Sequence, residues 1–243
     1  MIKTAICAEK GIYHEISNLP CQDAVGKYAN NDVAVVALCD GAGSIADSEK
    51  ASNLVCECLP KYLAENFNSL DNEDEAEIKE KILNFLIDQS KTKNVSLDCT
   101  MLAVAMNNQG DSIVAHIGDG VILGKCNGEY KVISRPENGS ESYITYFLSG
   151  EKAMDRLRVK KETIDGALLT SDGISDLLYS NNEVKKAVHV MLEWLKNSEE
   201  AVVENKCKNE IERIFKQYTM DDISVAMILN INNAQNERGE EYE

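Results

Sequence analysis

The chain has 243 residues, 44% of them hydrophobic and 27% charged, and its 41 acidic against 25 basic side chains leave a net charge of -16. Such a length and composition suit a globular protein with a substantial core. So acidic a surface repels phosphate backbones and attracts divalent cations, which argues against nucleic acid as a partner.

In chain order, Lys3 to Ala8 reads as a first strand, and Gly11 to His14 as a turn out of it. Asn18-Leu19-Pro20 is a loop, and Cys21 to Tyr28 is a short strand. Asn30-Asn31-Asp32 is a turn signal before Val33 to Cys39, an apolar run of small and β-branched residues. Such a run is the pattern of a strand buried on both faces. It stops at Asp40-Gly41-Ala42-Gly43-Ser44. Taken alone, Asp40 reads as the cap of a following helix. In an antiparallel hairpin, however, Asp23 and Asp40 arrive at the same end, which suggests a cation between them.

Ala46 to Phe67 has helical apolar spacing, and Pro60 is expected to kink or split that helix. Ser69 to Glu77 is an acidic, solvated connection, and a second helix runs from about Glu75 to Thr92. Four strands, Cys99 to Met106, Ser112 to Ile117, Val121 to Lys125 and Tyr130 to Ile133, read as one antiparallel meander. Arg135 to Ser142 is a polar loop, with further strands expected at Ser142 to Leu148 and Arg156 to Val159. Ala167 to Thr170 is again an apolar strand, ending in Ser171-Asp172-Gly173, with a helical segment at once after it. Helices follow at about Glu183 to Leu195 and Ser198 to Tyr218, then Asp221-Asp222 leads into a last strand. The reading is one domain over 1–231, with Asn232 to Glu243 a polar tail expected to be disordered.

The N-terminus lacks the apolar stretch of a signal peptide, and no run approaches the roughly 18 residues that span a bilayer. The eight cysteines show no zinc-ligand spacing. A cytoplasmic protein with free thiols, away from membranes, is the expectation.

One feature recurs: an aspartate at the edge of an apolar strand, at Asp23, Asp40, Asp172 and Asp221 or Asp222, with Asp119 in the turn Gly118-Asp119-Gly120. Gathered together, such carboxylates would repel one another and hold protons unless cations intervened. Hard oxygen ligands favour magnesium or manganese over zinc. A two-metal carboxylate site suits phosphoryl hydrolysis.

Six stretches occur in a meaningful order: Cys21-Gln22-Asp23-Ala24, Val36 to Ser44, Asp98-Cys99-Thr100-Met101, Ala115 to Gly120, Leu168 to Asp176 and Asp221 to Val225. The series resembles the metal-dependent serine/threonine protein phosphatases of the type 2C family, in its bacterial branch. The resemblance implies an α+β fold, a four-layer α-β-β-α sandwich of two mainly antiparallel sheets flanked by helix pairs. It implies hydrolysis of phosphoserine and phosphothreonine in proteins by a metal-activated water, with two Mn2+ or Mg2+ ions. Carried over, Asp40 bridges both ions, the Gly41 carbonyl binds one, and Asp172 and Asp221 bind the other. Asp23 acts through water, and Asp119 with Asp172 is a candidate for a weaker third metal. A phosphoprotein substrate and a cognate kinase are the implied partners of an expected monomer.

The departures are specific. No arginine stands in Ile16 to Pro20, where many members hold the substrate phosphate, and His14 is the nearby candidate for that contact. Ala42 replaces a histidine of eukaryotic members, Gly120 a serine and Asp222 an asparagine. Motif register points to Asp221 as the ligand, while the residues alone leave Asp221 and Asp222 both open. The departures motivate an alternative: a weak or inactive phosphatase-fold module that docks a partner such as a kinase.

Overall fold

The computed structural model describes residues 1–138 and 145–231. In chain order the elements are β1 (Ile2–Glu9), α1 (Ile12–Ile16), β2 (Asp23–Ala29), β3 (Val33–Asp40), α2 (Ser48–Asp71), α3 (Glu75–Lys93), β4 (Met101–Asn107), β5 (Asp111–Ile117), β6 (Val121–Cys126) and β7 (Glu129–Ser134). Then come α4 (Ala153–Arg156), β8 (Arg158–Thr163), β9 (Gly166–Thr170), α5 (Asp172–Leu178), β10 (Tyr179–Ser180), β11 (Glu183–Val184), α6 (Lys186–Asn197), α7 (Glu200–Arg213) and β12 (Ile223–Asn230).

Two five-stranded sheets, ordered β1-β12-β9-β6-β7 and β2-β3-β4-β5-β8, are antiparallel throughout. Between them lies a core built from Val36, Leu38 and Val104 on one side and Leu169, Ala226 and Ile228 on the other. The outer face of the second sheet packs beneath α2 and α3, where Val35 and Ala37 meet Leu59, Leu63 and Ile82. The outer face of the first sheet packs beneath α6 and α7, where Leu168 and Met227 meet Val188, Leu192 and Val203. The result is the expected α-β-β-α sandwich. Successive residues of β3 enter different cores, which is why its sequence runs apolar without alternation.

Several local expectations change. The four central strands are not one meander: β4 and β5 belong to one sheet, β6 and β7 to the other. The chain crosses between sheets at Gly118-Asp119-Gly120, and sequence spacing does not distinguish a corner from a hairpin turn. Gly11 to His14 leads into a one-turn helix, α1. The expected strand at Ser142 to Leu148 is not formed over Tyr146 to Leu148, Thr145 makes one isolated bridge with Asn138, and 139–144 lie outside the described residues. The expected Arg156 to Val159 strand begins at Arg158, after α4. The tail at 232–243 also lies outside the described residues. All eight cysteines are free, and no helix among the described residues is long and apolar enough to cross a membrane.

Asp40 is not a helix cap, since α2 begins only at Ser48. Nor does Pro60 split α2, which is continuous over 24 residues. Proline donates no N–H, so the Cys56 carbonyl one turn earlier loses its helical partner. The edge strand β2 packs there through Gly26, where an added Cβ would lie 1.9 Å from the Cys56 oxygen. Glycine is what allows this approach. Gly26→Ala is therefore expected to lower stability by about 1–3 kcal/mol, measured by urea denaturation. An unchanged midpoint would mean that α2 can retreat from β2 without loss.

Candidate active site

The hairpin of β2 and β3 puts Asp23 directly opposite Asp40. Beyond β3 the backbone stays in register. The Asp40 N–H donates to Thr100 Oγ1 (2.9 Å), the Thr100 N–H donates to the Asp40 carbonyl (2.8 Å), and the Gly41 N–H donates to the Gln22 carbonyl (3.0 Å). Thr100 thus anchors the main chain that carries Asp40. Asp119 arrives on the crossing between sheets, and the Thr145 hydroxyl donates to its carboxylate. Asp172 opens α5 directly after β9.

Asp40, Asp119 and Asp172 each present a carboxylate oxygen within 4.8 Å of the others. Burial pushes the Asp40 carboxyl well above the usual carboxylate range, and the charges of Asp23, Asp172, Asp119 and Asp221 push it further. Asp172 reaches solvent, yet desolvation and the facing charges of Asp119, Asp221 and Asp23 push it up to about 7. Desolvation raises Asp119 as well, against the pull of Thr145. Asp23 lies outside this triad. It is buried, and burial lifts it to about 7 against the opposing Ser224 and Ser171 hydroxyls. Three oxygens at this separation, with no nitrogen or sulfur among them, fit a hard divalent cation, whose charge would reverse the repulsion.

Asp221 and Asp222 diverge. Asp222 is buried, accepting from the Gly11 N–H (2.6 Å) and the Gln22 N–H (2.6 Å), with His14 Nδ1 2.8 Å from its Oδ2. It ties the starts of α1, β2 and β12 into one knot. Asp221 is exposed and lines a cavity of about 550 Å³ with Tyr13, His14, Gln22, Asp40, Gly41, Gly43, Thr219 and Met220. None of these is Lys or Arg. Two glycines permit the crowding. An added Cβ would lie 2.2 Å from the Asp221 carbonyl at Gly11, and 2.2 Å from the Asp222 carbonyl at Gly173. His14 stands in the cavity wall, but its Nδ1 is engaged by Asp222.

A sequence model described as Protein phosphatase 2C matches residues 10–214. The chain belongs to the protein phosphatase 2C family. By sequence, no curated protein matches significantly. Solved structures do. The S. agalactiae serine/threonine phosphatase is similar at a TM-score of 0.65 and 19% identity, over 94% of this chain and 99% of that one. The catalytic domain of the serine/threonine protein phosphatase PstP, in complex with two manganese ions, gives 0.59 and 20% over 94% and 97%. RsbX in complex with magnesium gives 0.56 and 18% over 94% of each chain. At such identities the likeness establishes the phosphatase 2C fold.

Sequence reading missed the clamp made by Asp222 and the contact of Thr145 with Asp119. The signal for the first was available: an acid set directly against an apolar strand, where burial demands donors. The second depends on a residue 26 positions away and left no local trace. Asp222→Ala leaves two main-chain donors without their acceptor, so a loss of about 3 kcal/mol or more is expected, measured by urea denaturation with Asp221→Ala as the comparison. Equal losses in the two variants would contradict the clamp.

Proposed function

We propose that this member of the phosphatase 2C family hydrolyses phosphoserine and phosphothreonine in proteins, with Mn2+ or Mg2+ as cofactor. The observation that carries the reading is the convergence of Asp40, Asp119 and Asp172 oxygens within 4.8 Å, with Asp40 lining an open cavity. Magnesium in RsbX and two manganese ions in PstP support the choice of cation. Asp40, with the Gly41 carbonyl, Asp172 and Asp221, would hold two ions; Asp23 would act through water, and Asp119 with Asp172 would hold a weaker third ion. Bound there, divalent cations supply an acidified water for attack on phosphorus and positive charge against the phosphate oxygens.

The chain's own residues do the positioning. Thr100 fixes the Asp40 backbone. Asp222 lies 2.8 Å from His14 in the cavity wall, beside the place where the substrate phosphate would sit, and its N–H donates to Asp221 Oδ1 (2.9 Å) at the cavity edge. Free thiols throughout support a cytoplasmic setting. The protein acts as a monomer on phosphoproteins, opposing a serine/threonine kinase.

The absence of Lys and Arg from the described cavity wall favours one second reading, a phosphatase-fold module with weak turnover that docks a partner. Hydrolysis of p-nitrophenyl phosphate and a phosphothreonine peptide separates the two. Turnover is expected to require manganese or magnesium, to vanish with chelator, and to fall at least on the order of 100-fold in Asp40→Asn. No turnover from folded protein that binds manganese would favour the docking module. In calorimetry, Asp221→Asn is expected to weaken manganese binding roughly tenfold or more, while Asp222→Asn leaves it near the native value. The reverse ranking would make Asp222 the ligand.

A further inference from the structure

One wall of the cavity, His14 apart, takes no part in the chemistry above. It is lined by Tyr13 and His14 of α1 and by Thr219 and Met220 ahead of β12, and the loop after α1 and Tyr218 adjoin those residues in the chain. The Tyr13 N–H donates to the Met220 carbonyl (2.9 Å), and the Leu19 N–H donates to the His14 carbonyl (2.9 Å). These segments expose Tyr13 (57%), Ile16 (78%), Leu19 (39%), Tyr218 (67%) and Met220 (52%) to solvent. Single exposed apolar side chains are ordinary on any surface. Five on two hydrogen-bonded segments, in a chain with a net charge of -16, concentrate exposed apolar surface of the kind that receives a partner. Tyr13 and Met220 also line the cavity that contains Asp40, Gly41 and Asp221, so the patch is continuous with the proposed phosphate site.

We infer that this wall receives a large apolar side chain next to the phosphorylated residue of the substrate. The inference rests on the phosphatase reading and names its substrate class. An extended polypeptide whose phosphate reaches Asp40 carries its neighbouring side chains past Tyr13 and Met220. An acidic neighbour meets no Lys or Arg in the described wall, and faces Asp221 instead. An apolar neighbour buries surface against Tyr13 and Met220, with Ile16, three residues on from Tyr13 in α1, beyond them.

The test compares phosphothreonine peptides that differ only beside the phosphoresidue, with Leu, Ser or Glu there, under manganese. The Leu peptide is expected to exceed the Ser peptide about tenfold in kcat/KM, the scale of partly burying one large apolar side chain, and the Glu peptide to be poorest. The double variant Ile16→Ser, Tyr218→Ser, whose sites lie outside the cavity lining, should raise KM for the Leu peptide several-fold. Its p-nitrophenyl phosphate turnover and melting temperature should stay native. Equal kcat/KM for all three peptides, with p-nitrophenyl phosphate still hydrolysed, overturns the inference and leaves the phosphatase reading standing. Loss of p-nitrophenyl phosphate hydrolysis in the native protein strikes the phosphatase reading instead. Fluorescence anisotropy of the same peptides then decides the wall without turnover, and equal affinities overturn it. A concentration-dependent dimer in sedimentation that the double variant abolishes would assign the wall to a second copy of the chain, and would also overturn the inference.

Discussion

Carboxylates held close together repel, and the architecture of this protein at one end of its sandwich is an answer to that repulsion. Asp40, Asp119 and Asp172 meet within 4.8 Å, and Asp23 and Asp221 add their fields. Left to themselves such groups would separate or take up protons. They are held instead by main-chain bonds: Thr100 on both sides of the Asp40 peptide, and the register that sets Asp23 opposite Asp40. The cores on both faces of the sheets make those bonds hard to break.

Asp222 solves a related problem by a different means. It is a buried carboxylate that accepts from two main-chain N–H groups, with His14 Nδ1 2.8 Å away. Those donors belong to segments separated from it by 211 and 200 positions. A single carboxylate therefore joins the beginning of the chain to its last strand. Asp221 beside it is exposed and lines the cavity, its Oδ1 accepting from the Asp222 N–H (2.9 Å). The glycines at 11 and 173 are part of this arrangement, because any side chain there would push the Asp221-Asp222 peptide away.

The cavity beside these groups is chemically uneven. One side carries the acids, and the other carries Tyr13 and Met220 on segments rich in exposed apolar surface. Without Lys or Arg in its described lining, the cavity has no fixed cation for a phosphate, so cations bound by the carboxylates would carry that duty. Family membership, the shape of the sandwich and this polarity are mutually consistent. The same unevenness is the ground for proposing that the apolar wall reads what flanks the phosphate.

Much of the candidate site could be read from residues alone. Apolar strands that stop at Asp40 and Asp172, with glycine next, expose their chemistry because burying a carboxylate there demands compensation. The paired arrival of Asp23 and Asp40 followed from hairpin geometry, and the order of six short stretches carried the fold. What stayed hidden was whatever depends on partners remote in sequence. The crossing between sheets at Asp119 looked like one more hairpin turn, since antiparallel neighbours and sheet corners have the same local pattern. Pro60 was expected to disturb α2, because the chain does not announce that Gly26 would pack against the carbonyl it freed. The choice between Asp221 and Asp222 was open for the same reason: which carboxylate turns inward is decided by the N–H groups of Gly11 and Gln22, and only folding brings those within 2.6 Å of it. Sequence determined which residues could serve, through local cost and spacing; the tertiary structure decided which of them face the cavity, because hydrogen bonds between distant segments orient each side chain.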